Sequence, residues 1–289
     1  MPVPLPRLVL LALLAPLAAC GTADGSQDAD RQSVTLTAQQ TARVDRGAEK
    51  YADYVRAETD LLLAGTARFV AAYKNGDDEK ARSLYAPTRM HWEAIEPVAE
   101  TFGDLDPRTD AREADLAEGD EWAGWHLIEK DLWAPTEEGR LTDAERTEYA
   151  DRLLADLSTL KGEVADADYT GEQIANGAKE LLDEVANGKV TGEEEFWSHT
   201  DLYDFQANVD GAKKSFDVLT PVVEQTDPEL AKSLTTRFGE LQTLLDQHRA
   251  GGGFVAYTDL SGDEVKELSD AVNALSEPLA NLAAAVAPR

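Results

Sequence analysis

Residues 263–286 read DEVKELSDAVNALSEPLANLAAAV. The apolar positions Val265, Leu268, Val272, Leu275, Leu279, Leu282 and Val286 alternate three and four apart, the spacing at which one face of an α-helix recurs. Two further runs repeat the pattern: Leu202, Phe205, Val209, Ala212, Phe216, Leu219 and then Leu230, Leu234, Phe238, Leu241, Leu245. Looser versions run through Tyr51–Tyr73, Tyr149–Leu160 and Ile174–Val185. No stretch longer than Ser33–Thr37 alternates with the period of a strand.

Helix starts are marked where a hydroxyl precedes an acid or amide by three residues, since each side chain can satisfy a free amide at the other position. Thr142 with Glu145, Thr170 with Gln173, Thr226 with Glu229 and Ser261 with Glu264 have that spacing. Breaks are expected at Asn75-Gly76, Gly103–Pro107, Asn187-Gly188 and Gly251–Gly253. The runs between breaks amount to about eight helices, and short connections favour antiparallel neighbours. The expected fold class is all-α, an antiparallel helical bundle.

The N-terminus carries a different signal. Leu8–Ala19 is apolar apart from Pro16 and follows a single positive charge at Arg7. It is too short to span a bilayer and fits the core of a signal peptide. LAAC at 17–20 has the form of a lipobox, so residues 1–19 are expected to be removed and Cys20 to be lipidated. Cys20 is the only cysteine. The mature body therefore excludes structural disulfides, thiolate metal sites, iron–sulfur clusters and cysteine nucleophiles. Residues 20–37 are small and polar and read as a flexible tether with a reach of roughly 20–25 Å, leaving 38–289 as the folded domain close to the outer face of the cell membrane.

The full chain of 289 residues has 27 Lys+Arg against 56 Asp+Glu, a formal charge of −29. Such a surface repels nucleic acid and anionic lipid headgroups and attracts cations. Most of these carboxylates serve solubility; a few in the right geometry suffice to bind an ion.

The stretch WAGWHLIEKDLW, Trp122–Trp133, places His126 and Glu129 three apart on one helix face, roughly 5–6 Å between Cβ atoms. An imidazole and a carboxylate at that separation can share one cation. Upstream, Glu93 and Glu96 have the same spacing in HWEAIEP, and an aspartate-rich segment follows from Gly103 to Glu113. Packed together, these sets would make a pocket of oxygen ligands with one nitrogen, which suits a hard or borderline ion such as iron. The surrounding stretch 103–121 carries eight acids and two arginines and reads as a long functional loop.

Three segments, YAPTRMHWEAIEPVAETFGDLDP (Tyr85–Pro107), GWHLIEKDLW (Gly124–Trp133) and TGEEEFWSHTDLYDFQANVDGAKKSF (Thr191–Phe216), resemble the imelysin-like domain of EfeO-type iron-uptake lipoproteins, in the same order. The resemblance implies two packed four-helix bundles, divided near residue 165. Its HxxE motif falls on His126 and Glu129, and its acidic helix turn on Glu93 and Glu96. It also implies an acidic ligand from the 104–113 loop, for which Asp110 is favoured over Asp104, Asp106 and Glu113, and another at Glu194. By itself, Glu194 could equally close a capping box with Thr191. The implied cargo is iron, as Fe(III) or Fe(II), with other divalent metals also suited. The implied partners are an EfeU-type permease and an EfeB-type haem peroxidase. The shorter variant of the family is the one resembled, because the tether leaves no room for a cupredoxin domain.

His199 opens a helix and has a matching motif that packing explains equally well; His91 faces away from the Glu93 pair; His248 continues a core stripe at a helix end. HExxH is absent, and HxxEH fails because Lys130 follows Glu129. A di-iron oxidase needs Glu-x-x-His on two helices, and here the order is reversed and occurs once. No enzyme is therefore expected. The rival expectation is an extracellular polysaccharide-binding lipoprotein whose carboxylates are merely surface.

Overall fold

In the computed structural model, residues 36–99, 101–133, 136 and 140–287 are described. The expected leader, Cys20 and nearly all of the tether lie outside them. The helices are α1 (Ala38–Lys74), α2 (Asp78–Glu93), α3 (Glu96–Ala99), α4 (Leu105–Asp110), α5 (Trp125–Trp133), α6 (Asp143–Ala165), α7 (Gly171–Asn187), α8 (Asp201–Thr226), α9 (Pro228–Gln247), α10 (Gly262–Leu279) and α11 (Leu282–Val286). A two-rung antiparallel ribbon, β1 (Arg249–Ala250) with β2 (Gly253–Phe254), closes over the turn at Gly251 and Gly252.

Two layers of helix form. α1, α2, α5 and α6 pack as one bundle and α7, α8, α9 and α10 as a second, while α8 also lies against α1 and α2. The division falls between Ala165 and Gly171, where the family resemblance implies it. The second bundle is filled by the predicted stripes: Leu202, Phe205, Val209 and Leu219 of α8, Leu234, Phe238, Leu241 and Leu245 of α9, and Leu268, Val272 and Leu275 of α10 are all buried. Each such side chain withdrawn from water contributes about 1.5–3 kcal/mol.

The capping boxes at Thr142, Thr170 and Ser261 form, and Thr37 with Gln40 makes the same box at the start of α1. Thr226 with Glu229 does not. Thr226 is the last residue of α8, and Asp227 caps α9 ahead of Pro228; proline is suited to the first helical position because its missing amide is not needed there. The seam at 263–286 is likewise divided. Pro278 lacks the amide that would bond the preceding turn, α10 ends at Leu279, and Asn281 starts α11, which packs on α7 and α8.

The acidic stretch 103–121 is also not a continuous loop. It contains α4 and a 3-10 turn at Glu113–Asp115, so Asp110 is held at a helix end. Two glycines press the surrounding backbone together. A side-chain carbon at Gly124 (φ 90°) would fall 2.1 Å from the carbonyl oxygen of Thr109, and one at Gly211 would fall 2.4 Å from that of Ala94. The first seats the start of α5 against α4, and the second seats α8 against the end of α2.

Candidate metal centre

Four elements converge where the two bundles meet: the last turn of α2, the α3–α4 segment, the first turn of α5, and the connection from α7 into α8. Arg89 of α2 stands at the middle, fully enclosed. Its guanidinium pairs with Glu93 and Asp110 through the terminal nitrogens and with Glu195 through Nε at 2.6 Å. Asp204 and Glu194 follow at 3.7 and 3.8 Å. Lys189, from the turn after α7, is the second buried cation. Its Nζ lies 2.6 Å from Glu93, 3.1 Å from Glu96 and 3.9 Å from Glu194.

His126 and Glu129 leave the same face of α5, as their spacing predicts. His126 Nδ1 lies 3.1 Å from Glu129 Oε2. Glu129 Oε1 accepts the backbone amides of Trp197 and Ser198 at 2.8 and 2.7 Å. The carboxylate is thus anchored across the cluster and holds the imidazole by its δ nitrogen. The other ring nitrogen, Nε2, is buried without a hydrogen-bond partner and faces Asp110 Oδ1 at 3.5 Å and Glu194 Oε1 at 3.7 Å. An imidazole fixed at one nitrogen by a carboxylate and presenting the other to acids is the arrangement of a metal-binding histidine. Asp110 is itself oriented by the Trp92 indole, whose Nε1 donates to Oδ2 at 2.8 Å.

Donor atoms of Asp110, His126 and Glu194 lie within 4.8 Å of one another, as do those of His126, Glu129 and Glu195 and those of Glu96, Asp106 and Asp110. The first trio shares the unbonded Nε2. Glu93 belongs to the same cluster but is held by Arg89 and Lys189 and accepts from Asn208 at 3.2 Å. A cavity of about 470 Å³ opens over His126, Glu129 and Glu194, walled by Trp122, Phe196 and Trp197. A second, about 320 Å³, opens on Glu96, Asp106 and Asp110. Glu194 and Arg112 line both, and Arg112 Nη1 reaches Glu194 at 3.3 Å.

The electrostatics are lopsided. Among the described residues, Glu93, Glu96, Asp110, Glu129, Glu194, Glu195, Asp201 and Asp204 are buried beside two buried permanent cations, Arg89 and Lys189, with Arg112 reaching Glu194 from the rim. Burial, reinforced by Glu129, pushes Glu195 up to about 8 against the pull of Arg89. Burial and the charges of Glu195 and Glu93 push Asp204 well above its ordinary value, and both of its oxygens lack hydrogen bonds. Burial also raises Glu96 well above the carboxylate range despite Lys189. Glu194 goes the other way: burial would raise it, but Lys189 and His126 hold it well below. His126 is raised well above 6.5, because its acidic neighbours outweigh burial and Arg89.

The remaining histidines are elsewhere. His91 Nδ1 lies 2.6 Å from Glu58 on another face of α2, and His248 caps α9. His199 precedes α8 with a φ of 59°, its carbonyl accepting from Tyr257. Asp104 pairs with Arg108, and Glu113 with Lys130. Thr191 spends its hydroxyl on the Gly188 carbonyl, which frees Glu194 for the cluster. Sequence reasoning missed Arg89, Lys189, Glu195, Asp201 and Asp204. Arg89 had a readable signal: it stands between Tyr85 and Trp92 at helical spacing, on a stripe that is otherwise core. Asp201 and Asp204 had none, because they lie off the apolar stripe of α8 and are buried only by neighbours from other segments.

Residues 47–282 match the imelysin (peptidase M75) family model. An Efem/EfeO family lipoprotein of Staphylococcus haemolyticus is 40% identical over 281 residues, 95% of this chain and 96% of that one. A lipoprotein of the same description from Staphylococcus aureus strain NCTC 8325 is 41% identical over 246 residues, 84% and 85% of the two chains. The fold also matches a crystal structure described as an iron-regulated protein A precursor from Parabacteroides distasonis. The TM-score is 0.62 at 14% identity, covering 89% of this chain and 97% of the other.

Proposed function

The chain belongs to the imelysin family, among the Efem/EfeO lipoproteins, and from that premise we propose that it is the iron-capturing component of an Efe-type uptake system. The observation that carries this reading is the buried Nε2 of His126, free of hydrogen bonds and aimed between Asp110 and Glu194. In the proposed complex His126, Asp110 and Glu194 ligate the ion, and Glu129 holds the imidazole. Glu96 stands next in reach, and Glu93 tunes the site through Arg89 and Lys189. Carboxylates with one imidazole suit Fe(III) or Fe(II), and other divalent ions less selectively.

Residues 1–19 are removed, Cys20 carries the lipid, residues up to 37 act as a tether, and 38–289 form the carrier at the outer face of the membrane. From there it hands iron to an EfeU-type permease, with an EfeB-type haem peroxidase as a further partner. The imelysin name comes from a peptidase family; the carrier reading requires no bond cleavage, and release follows from ligand competition.

Calorimetric titration of the soluble domain with Fe(II) under anaerobic conditions, and with Fe(III) supplied as a weak chelate, tests it. Saturable binding is expected, with His126→Ala/Glu129→Ala weakening it by about 100-fold or more. Equal weak binding by both proteins would mean that the acidic surface alone attracts cations.

A further inference from the structure

Resting on that metal-carrier reading, we infer that Lys189 is a built-in counter-cation which the cargo ion displaces from Glu194 and Glu96, so that the lysine sets how tightly the site holds its metal and how readily it lets go. Three observations carry this. Lys189 is 1% exposed, yet it is a lone ammonium at the end of a long aliphatic stem, and it touches three carboxylates. It is also placed by the same connection that supplies Glu194 and Glu195, so cation and ligand move on one segment. Finally, one of its partners, Glu194, is also a partner of the unbonded His126 nitrogen. A metal ion drawn to that nitrogen and Lys189 therefore compete for one carboxylate.

Arg89 cannot play this part. Its rigid fork is distributed over Glu93, Asp110 and Glu195 and lies 6.0 Å from the centre of the Tyr85 ring, so moving it would break several contacts together. Lys189 has only its point charge to relocate, and Glu93 at 2.6 Å remains to receive it when Glu194 and Glu96 turn to the metal. The displaced ammonium stays within the cluster, repels the bound ion, and can return as the ion leaves.

Zn(II) serves as a diamagnetic probe. In Lys189→Met and the more polar Lys189→Gln, Zn(II) affinity is expected to rise at least about tenfold over the unsubstituted domain, because a competing charge has gone. Lys189→Arg should stay near the unsubstituted value or below it. A lysine that merely props up the fold would lower affinity when removed. On the unsubstituted protein, lysine-selective 15N NMR should show the Lys189 ammonium resonance shift on Zn(II) addition. Absence of saturable Zn(II) binding by the unsubstituted domain overturns the carrier reading and this inference with it. Binding that leaves the Lys189 resonance unmoved, or that folded Lys189→Met and Lys189→Gln proteins match or weaken, overturns the inference alone.

Discussion

Two clusters of charge are built around α2 and α5, one inside the first bundle and one where the bundles meet, and they close differently. In one, Asp131 of α5 accepts from the Tyr73 hydroxyl at 2.8 Å and the Leu141 amide at 2.7 Å and pairs with Arg146 at 2.7 Å. Asp78 then pairs with Arg146 at 2.7 Å and Arg140 at 2.6 Å. Among the described residues two acids meet two arginines, and α1, α2, α5 and α6 are tied together. Around Arg89, eight buried carboxylates meet the two buried cations Arg89 and Lys189 and, from the rim, Arg112, and Asp204 and His126 keep polar atoms unbonded. The first cluster is complete by itself. The second holds an excess of negative charge that desolvation makes costly and that only a cation from outside, or protons, can offset.

Asp131→Ala leaves Arg146, the Tyr73 hydroxyl and the Leu141 amide without their shared acceptor, and should cost about 3–5 kcal/mol in urea unfolding. Its Zn(II) affinity should stay close to that of the unsubstituted protein, since the site is separate. A large loss of binding would show that the two clusters act as one.

The unbalanced end should show in pH dependence. Glu195 is raised from 4.5 to about 8, and Asp204 and Glu96 are raised as well. Between those limits the folded state holds protons that the unfolded chain has lost. Their stabilising contribution is therefore present below about 4.5 and lost as pH rises toward 8 and beyond. His126, also raised, acts with the same sign as pH climbs above 6.5. Glu194 and Glu129 are lowered, so their contribution is lost only on acidification. Without metal, denaturant midpoints should fall between pH 6 and 9, by up to about 1.4 kcal/mol per pH unit for each proton involved. Saturating Zn(II) should flatten the decline. A flat metal-free profile would mean that the cluster's charge is already compensated.

The same dependence is expected at one residue. Asp204→Asn removes an acid with no hydrogen bond on either oxygen. It should raise stability above the pH at which the unfolded acid ionises, and by more at pH 9 than at pH 6, up to about 1.4 kcal/mol per pH unit while the buried residue keeps its proton. Thermal melts at the two pH values separate this from a packing effect, which would be the same size at both.

Much of this molecule is readable from its chain because helix period and capping are local. The stripes through Leu202–Leu219, Leu230–Leu245 and Leu268–Val286 and three of the four marked capping boxes needed no tertiary information. The same holds for His126 and Glu129, placed on one face by a spacing of three. The misreadings are local competitions that spacing cannot rank. Asp227 beside Pro228 outcompetes Thr226 as a cap, and Pro278 with Asn281 interrupts a seam whose apolar period continues unbroken.

The site's charge balance belongs to the tertiary structure alone. Arg89 and Lys189 are 100 residues apart in the chain, and nothing about Lys189, Asp201 or Asp204 in the sequence separates them from solvated surface charge. What gathers them is that α8 and the turn before it close over the end of α2, excluding water from all of them together. Desolvation and the distances between charges exist only once distant segments meet.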